Sequence, residues 1–152
     1  MDRVEKALEY FYRGYNCCQS VFAAYSDLFG VEESAALAIS SGFGGGMGGL
    51  REKCGTVTAL FMLAGLSKGG YDPESPPSKK ELYDLIKALD AEFAGQFGTT
   101  NCRELLVNAK CIVSEHPSER NAKYYAKRPC ARFVETAAEI AEKHLAGQLI
   151  EH

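Results

Sequence analysis

The segment from Cys54 to Ser67 reads CGTVTALFMLAGLS, with no charged residue and almost no polar face. A helix that is hydrophobic all round belongs in the middle of a packed structure. Its length favours helix over a short buried strand. The rest of the chain must therefore wrap around this element. Gly69-Gly70 closes it, and Gly42 to Gly49, GFGGGMGG, precedes it. That run is too rich in glycine to form helix or strand.

The flanking segments read as helices that can supply the wrapping. Val4, Ala7, Leu8 and Phe11 recur at helical spacing after Asp2, and Gly14 ends that helix. A second runs from Asn16 through Cys17, Val21, Ala24, Tyr25 and Leu28 to Gly30. A third covers about Glu32 to Ser41, with Glu32-Glu33 as its charged first turn. Pro73, Pro76 and Pro77 mark a surface loop. After it, Leu82, Leu85, Ile86, Leu89, Phe93 and Phe97 form an apolar stripe from Ser78 onward, and Ser78-Lys-Lys-Glu81 fits a capping box. A short helix follows from Cys102 to about Val107, with Leu105 and Leu106 on its apolar side. Cys111 to Arg128 is weakly patterned. The last helix starts at Pro129 and carries Phe133, Ala137, Ile140, Ala141 and Leu145. No stretch alternates as a strand would, and no internal repeat is present. The expectation is one all-α domain over residues 1–152, a single compact helical bundle with a buried central helix.

At 152 residues, 46% hydrophobic and 24% charged, the chain has the composition of a globular domain with a real core. A net charge of −3 gives no general attraction to nucleic acid or to an acidic membrane surface. No apolar run approaches the roughly 20 residues that span a bilayer. The opening MDRVEKALEYFY lacks the apolar core of a secretory signal. A cytoplasmic location is expected, where thiols stay reduced. Six cysteines then read as metal-binding or redox-active more readily than as a disulfide scaffold.

Four of those cysteines sit at expected helix starts: Cys17 after Asn16, Cys54 after the glycine loop and Lys53, Cys102 after Thr100-Asn101, and Cys130 after Pro129. Asn is a good cap and Pro suits the first turn. Unpaired N–H groups and the helix dipole at such a start favour thiolate over thiol. Nearby cations act in the same direction: Arg51 and Lys53 before Cys54, Arg103 after Cys102, Arg128 and Arg132 around Cys130. Cys18 faces elsewhere on its helix and reads as a small core residue. Cys111 is a fifth ligand, a resolving thiol or inert. The absence of C-x-x-C sets the chain apart from zinc ribbons and bacterial ferredoxins.

Other signals carry less. Gly44-x-Gly46-x-x-Gly49 matches the dinucleotide fingerprint by letter, but no strand precedes it. The loop of Gly44, Gly45, Gly46 and Gly48 reads instead as a place where backbone N–H groups approach sulfur or an anion, or as a tight helix crossing. His116, His144 and His152 read as exposed. Tyr124-Tyr125 with Lys123 and Lys127 forms one small basic patch, read as a solvated helix face.

On Gly14-Tyr-Asn-Cys17, the glycine loop with Cys54-Gly55-Thr-Val-Thr-Ala59, Cys102-Arg-Glu-Leu-Leu106 and Cys130, the chain resembles a bacterial and archaeal family of redox-active proteins named for its cysteine pattern, C_GCAxxG_C_C. The resemblance spans almost the whole chain. It implies four recurrent cysteines and either a prosthetic group such as an iron–sulfur cluster or a redox role. Thr56 stands where the motif has Ala, and Ala59 where it has Gly.

The leading expectation is a cysteine-liganded metal centre in electron transfer, an iron–sulfur cluster on Cys17, Cys54, Cys102 and Cys130, making the chain an electron carrier or oxidoreductase. The second is metal-free thiol–disulfide chemistry, with Cys54 attacking and Cys102 or Cys130 resolving. The third is structural zinc or an interaction domain. A redox partner protein is expected, with no nucleic acid and no membrane, and the apolar Cys54 to Ser67 segment allows a homodimer interface.

Overall fold

The computed structural model describes residues 2–111, 113–114, 120–121 and 129–146. They form seven helices and no strand: α1 Arg3–Tyr12, α2 Cys17–Tyr25, α3 Glu33–Ser40, α4 Gly55–Lys68, α5 Pro76–Phe97, α6 Cys102–Asn108 and α7 Cys130–Ala141. Capping sets the first two. Asp2 accepts from the Glu5 N–H at 2.7 Å, Asn16 accepts from the Gln19 N–H at 2.9 Å, and both Glu5 and Gln19 reach back to complete capping boxes. Gly30 at φ 82° and Gly69 at φ 68° end the second and central helical runs.

The central position of α4 follows from its composition. It packs against α2, α5 and α7, while α1 lies across α2 and α7. Its first two turns, Gly55 to Leu60, are buried throughout. Its far end is not: Phe61, Met62 and Leu66 are half-buried as the helix runs out toward Gly69. Tyr25 ties α2 to α7 by donating its hydroxyl to the Ala138 carbonyl at 2.8 Å. Phe93, Phe97 and Phe133 stack where α5 meets α7, with centroids 4.9 to 6.1 Å apart.

The structure departs from the sequence expectation at three points. α5 starts at Pro76 rather than Ser78, because proline is well suited to the first helical turn. Ser78 is then inside the helix, and its hydroxyl bonds back to the Ser75 carbonyl at 2.8 Å instead of closing a capping box. The glycine run is not a plain loop. A short 3-10 turn, Ser41–Phe43, leads into a compact turn whose Gly45, Gly46 and Gly48 hold φ near +65°. His144 is not simply exposed: it sits in a π-helical turn, Glu142–Ala146, and meets Glu92 of α5 at 2.5 Å. His116, His152, Lys123, Tyr124, Tyr125, Lys127 and Arg128 lie outside the described residues.

Candidate functional site

Four helix starts face one cavity of about 410 Å³. Cys17, Cys102 and Cys130 are the first residues of α2, α6 and α7, and Cys54 is the residue that precedes α4. All four line the cavity. Gly44, Gly45, Gly48 and Gly49 form part of its wall, and Phe11, Leu105, Leu106 and Phe133 supply apolar surface. Cys18 is fully buried in the core, and Cys111 lies off the wall with its thiol toward the Ala109 carbonyl at 3.8 Å. None of the six cysteines is joined in a disulfide.

Backbone pairing fixes two of the four. Lys53 and Asn101 form an isolated antiparallel bridge. The Cys54 N–H donates to the Thr100 carbonyl at 2.8 Å, and the Cys102 N–H to the Glu52 carbonyl at 2.6 Å. Glycine then lets the neighbours close in. A Cβ on Gly46 would lie 2.6 Å from the Cys102 Cβ, and one on Gly55 would lie 2.6 Å from the Cys17 sulfur. The glycine run thus provides both a cavity wall and a tight crossing, with Gly46 behind Cys102 rather than on the wall.

The electrostatics reverse one expectation. Burial pushes the Cys17 thiol up, and a charge on Cys102 would push it further. The N–H groups of Gly45, Cys18 and Gly55 point at its sulfur but do not cancel that cost. Burial also pushes Cys54 up, with Cys17 adding to it, against the Thr56 hydroxyl 3.1 Å from its sulfur. Desolvation therefore outweighs the helix starts at these two positions. The cations are also placed differently. Lys53 turns away to Asp90 at 2.8 Å and Thr100 at 2.7 Å. Arg51 passes Cys54 and directs Nη1 to the Cys102 sulfur at 3.6 Å, with Nε on the Ser114 carbonyl at 2.6 Å.

Sequence reasoning missed Arg120, which lines the cavity, donates to the carbonyls of Phe11 and Tyr15 at 2.6 and 3.0 Å, and stacks 4.3 Å from the Phe11 ring. No local pattern announces it. It also missed the contact of Thr56 with Cys54, at one of the two positions where the cysteine motif departs from the family pattern. Among the described residues, no three His, Cys, Asp or Glu side chains converge as the ligands of a single metal ion. No described helix is long and apolar enough to cross a membrane.

No curated protein and no solved structure matches the chain. A family described as "Putative redox-active protein (C_GCAxxG_C_C)" matches residues 15–144. That span holds all four cysteines of the cavity, and the chain belongs to this redox-active family.

Proposed function

We propose that the cavity holds an iron–sulfur cluster ligated by Cys17, Cys54, Cys102 and Cys130, and that the protein carries electrons to or from a partner protein. The observation behind this reading is the meeting of four thiols from four separate helix starts on one cavity of about 410 Å³. The donor set fits: all-cysteine ligation is the usual holder of such clusters. A cluster spaces its ligands over several irons, which suits thiols set round a cavity better than a single zinc ion does. When bound, such a cluster supplies one-electron transfer.

The chain's own residues prepare the cavity for a group of this kind. Cys17 and Cys54 are held as thiols by burial, so they give up their protons only to an arriving positive centre. Arg51 sets a positive charge beside Cys102, and three backbone N–H groups point at the Cys17 sulfur. Phe11, Leu105, Leu106 and Phe133 keep the cavity partly apolar, which tunes potential by limiting water. Anaerobic purification, reconstitution with iron and sulfide, and metal analysis with absorption spectra test the reading. A coloured protein whose iron is lost when any of the four cysteines becomes serine is expected. A colourless, iron-free protein after reconstitution overturns it.

One contact favours a second reading, metal-free thiol–disulfide exchange. The Arg51 guanidinium lies against Cys102, not Cys54. In that chemistry Cys102 replaces the deeply buried Cys54 as the attacking sulfur, with Cys17 as the neighbouring partner. A two-thiol step in a metal-free redox titration, lost in Cys102→Ser, is its signature.

A further inference from the structure

Arg51 is a buried cation with no carboxylate partner among the described residues. The residue is 7% exposed, and a guanidinium stays protonated throughout the physiological range. Among the described residues no carboxylate pairs with it; the ion pairs go to Arg3, Lys53, Lys68, Lys80, Lys143 and His144. Its protein acceptors are the Ser114 carbonyl and the Cys102 sulfur. A guanidinium has five N–H donors, so most of its outer edge is unspent. No fully buried side-chain nitrogen among the described residues lacks a partner, so the unpaired part of that edge keeps some exposure, and Arg51 is one of the residues that line the cavity. The backbone reinforces the aim: Arg51 holds φ at +60°, a conformation a non-glycine residue adopts at a cost. Gly45 has no side chain to cover the guanidinium, since a Cβ there would sit 3.6 Å from Nη1.

We infer that the cavity contains an anion subsite built on the outer edge of Arg51, which takes a small oxyanion, a carboxylate or a sulfur or phosphorus oxyanion. The planar fork of a guanidinium matches two oxygens of such a group, and in a cavity partly closed from water the pairing is strong. Arg120 on the same wall adds positive potential. The subsite goes beyond the cluster reading and does not need it, because the oxyanion is held at the cation and not at the thiols.

Isothermal titration of the full chain with sulfate and with acetate, at ionic strength fixed with chloride, tests it. Wild type is expected to bind one of them saturably with one site per chain. Arg51→Met should weaken that binding at least about tenfold, Arg51→Lys should weaken it less, and the surface control Lys79→Met should not change it. Absence of saturable binding in wild type, or equal binding in folded Arg51→Met, overturns the inference. Should Arg51→Met fail to fold, crystals of wild type soaked in selenate decide: anomalous density within hydrogen-bond reach of the guanidinium supports the subsite, and selenate found only elsewhere removes it. Iron content of the same samples separates the two ideas. Sulfate binding without iron after reconstitution leaves the subsite and removes the cluster, and iron without oxyanion binding does the reverse.

Discussion

Gly55→Ala should destabilise the protein, although the same change in an ordinary helix stabilises it. Gly55 is the first residue of α4 and is fully buried. Helix propensity alone favours alanine by about 1 kcal/mol. The space at Gly55 forbids it. An added Cβ would lie 2.6 Å from the Cys17 sulfur, 2.9 Å from the Phe43 carbonyl oxygen and 3.2 Å from the Cys18 Cβ. Favourable carbon contacts begin near 3.5 Å, so the neighbours must retreat by roughly 1 Å. The sulfur can swing aside, but the Phe43 carbonyl is backbone and moves only with the glycine turn. Overpacking of this kind costs about 1–3 kcal/mol. Because a backbone carbonyl has to move, the upper part of that range applies, about 2–3 kcal/mol; after the propensity gain of about 1 kcal/mol the expected net loss is about 1–2 kcal/mol, or a fall of roughly 2–8 °C in Tm for a chain of this size. Gly65→Ala is the internal control. It lies in the same helix, and a Cβ there meets nothing within 4 Å; it should gain about 0.5–1 kcal/mol. Thermal melts and urea titrations of the three proteins measure both signs. A Gly55→Ala protein as stable as wild type would falsify the claim that the glycine is present to admit the Cys17 sulfur.

Three further outcomes follow from the same structure. Cys18→Ala should cost about 1 kcal/mol by urea titration, because it removes a sulfur from a fully buried position, yet leave iron content unchanged, whereas Cys17→Ser should abolish iron loading; equal iron loss in both would contradict the assignment. Tyr25→Phe should cost about 1 kcal/mol in the same assay by removing one hydrogen bond to the Ala138 carbonyl, which keeps its helical partner, the Glu142 N–H, and a neutral effect would count against that tie between α2 and α7. The Lys143 hydrogen bond holds the Glu92 carboxyl low, with burial opposing and His144 assisting. Its contribution is therefore present above the ordinary glutamate value of about 4.3 and is lost as pH falls through the lower folded value. Glu92→Gln should cost about 0.5 kcal/mol at pH 7 and close to nothing once acid has protonated the carboxyl in both states, and a gap that persists there refutes it.

The helix starts were legible because capping is local. Asn16, Asn101 and Pro129 sit beside the groups they organise, and their cysteines fall where the caps place them. The central helix was legible for a similar reason, since an uncharged run has nowhere to go but inward. Ser78 misled because its capping box competes with two prolines that can open the helix earlier. The charge state of the cavity was not legible. Proximity in sequence ties Arg51 to Cys54, but the bridge at Lys53 and Asn101 brings Cys102 beside that segment, and the guanidinium goes there instead. Arg120 reaches Phe11 across 109 positions, a distance over which no periodicity speaks. The burial that lifts Cys17 and Cys54 likewise depends on how four helices close together.

The short ladder between residues 51–54 and 100–103 has a mechanical corollary. Cys54 and Cys102 are lashed by main-chain hydrogen bonds on either side of one bridge, and Glu52 is tied in turn to Gly46 at 2.9 Å. These two sulfurs ride on a common frame. Among the described residues no backbone–backbone hydrogen bond ties the starts of α2 and α7, which carry Cys17 and Cys130, to that frame. Any breathing of the pocket must then proceed as a hinge, with one jaw fixed and the other swinging. Amide exchange should find the 54 and 102 amides slow together, and solvent or a docking partner should gain entry from the α2 and α7 side.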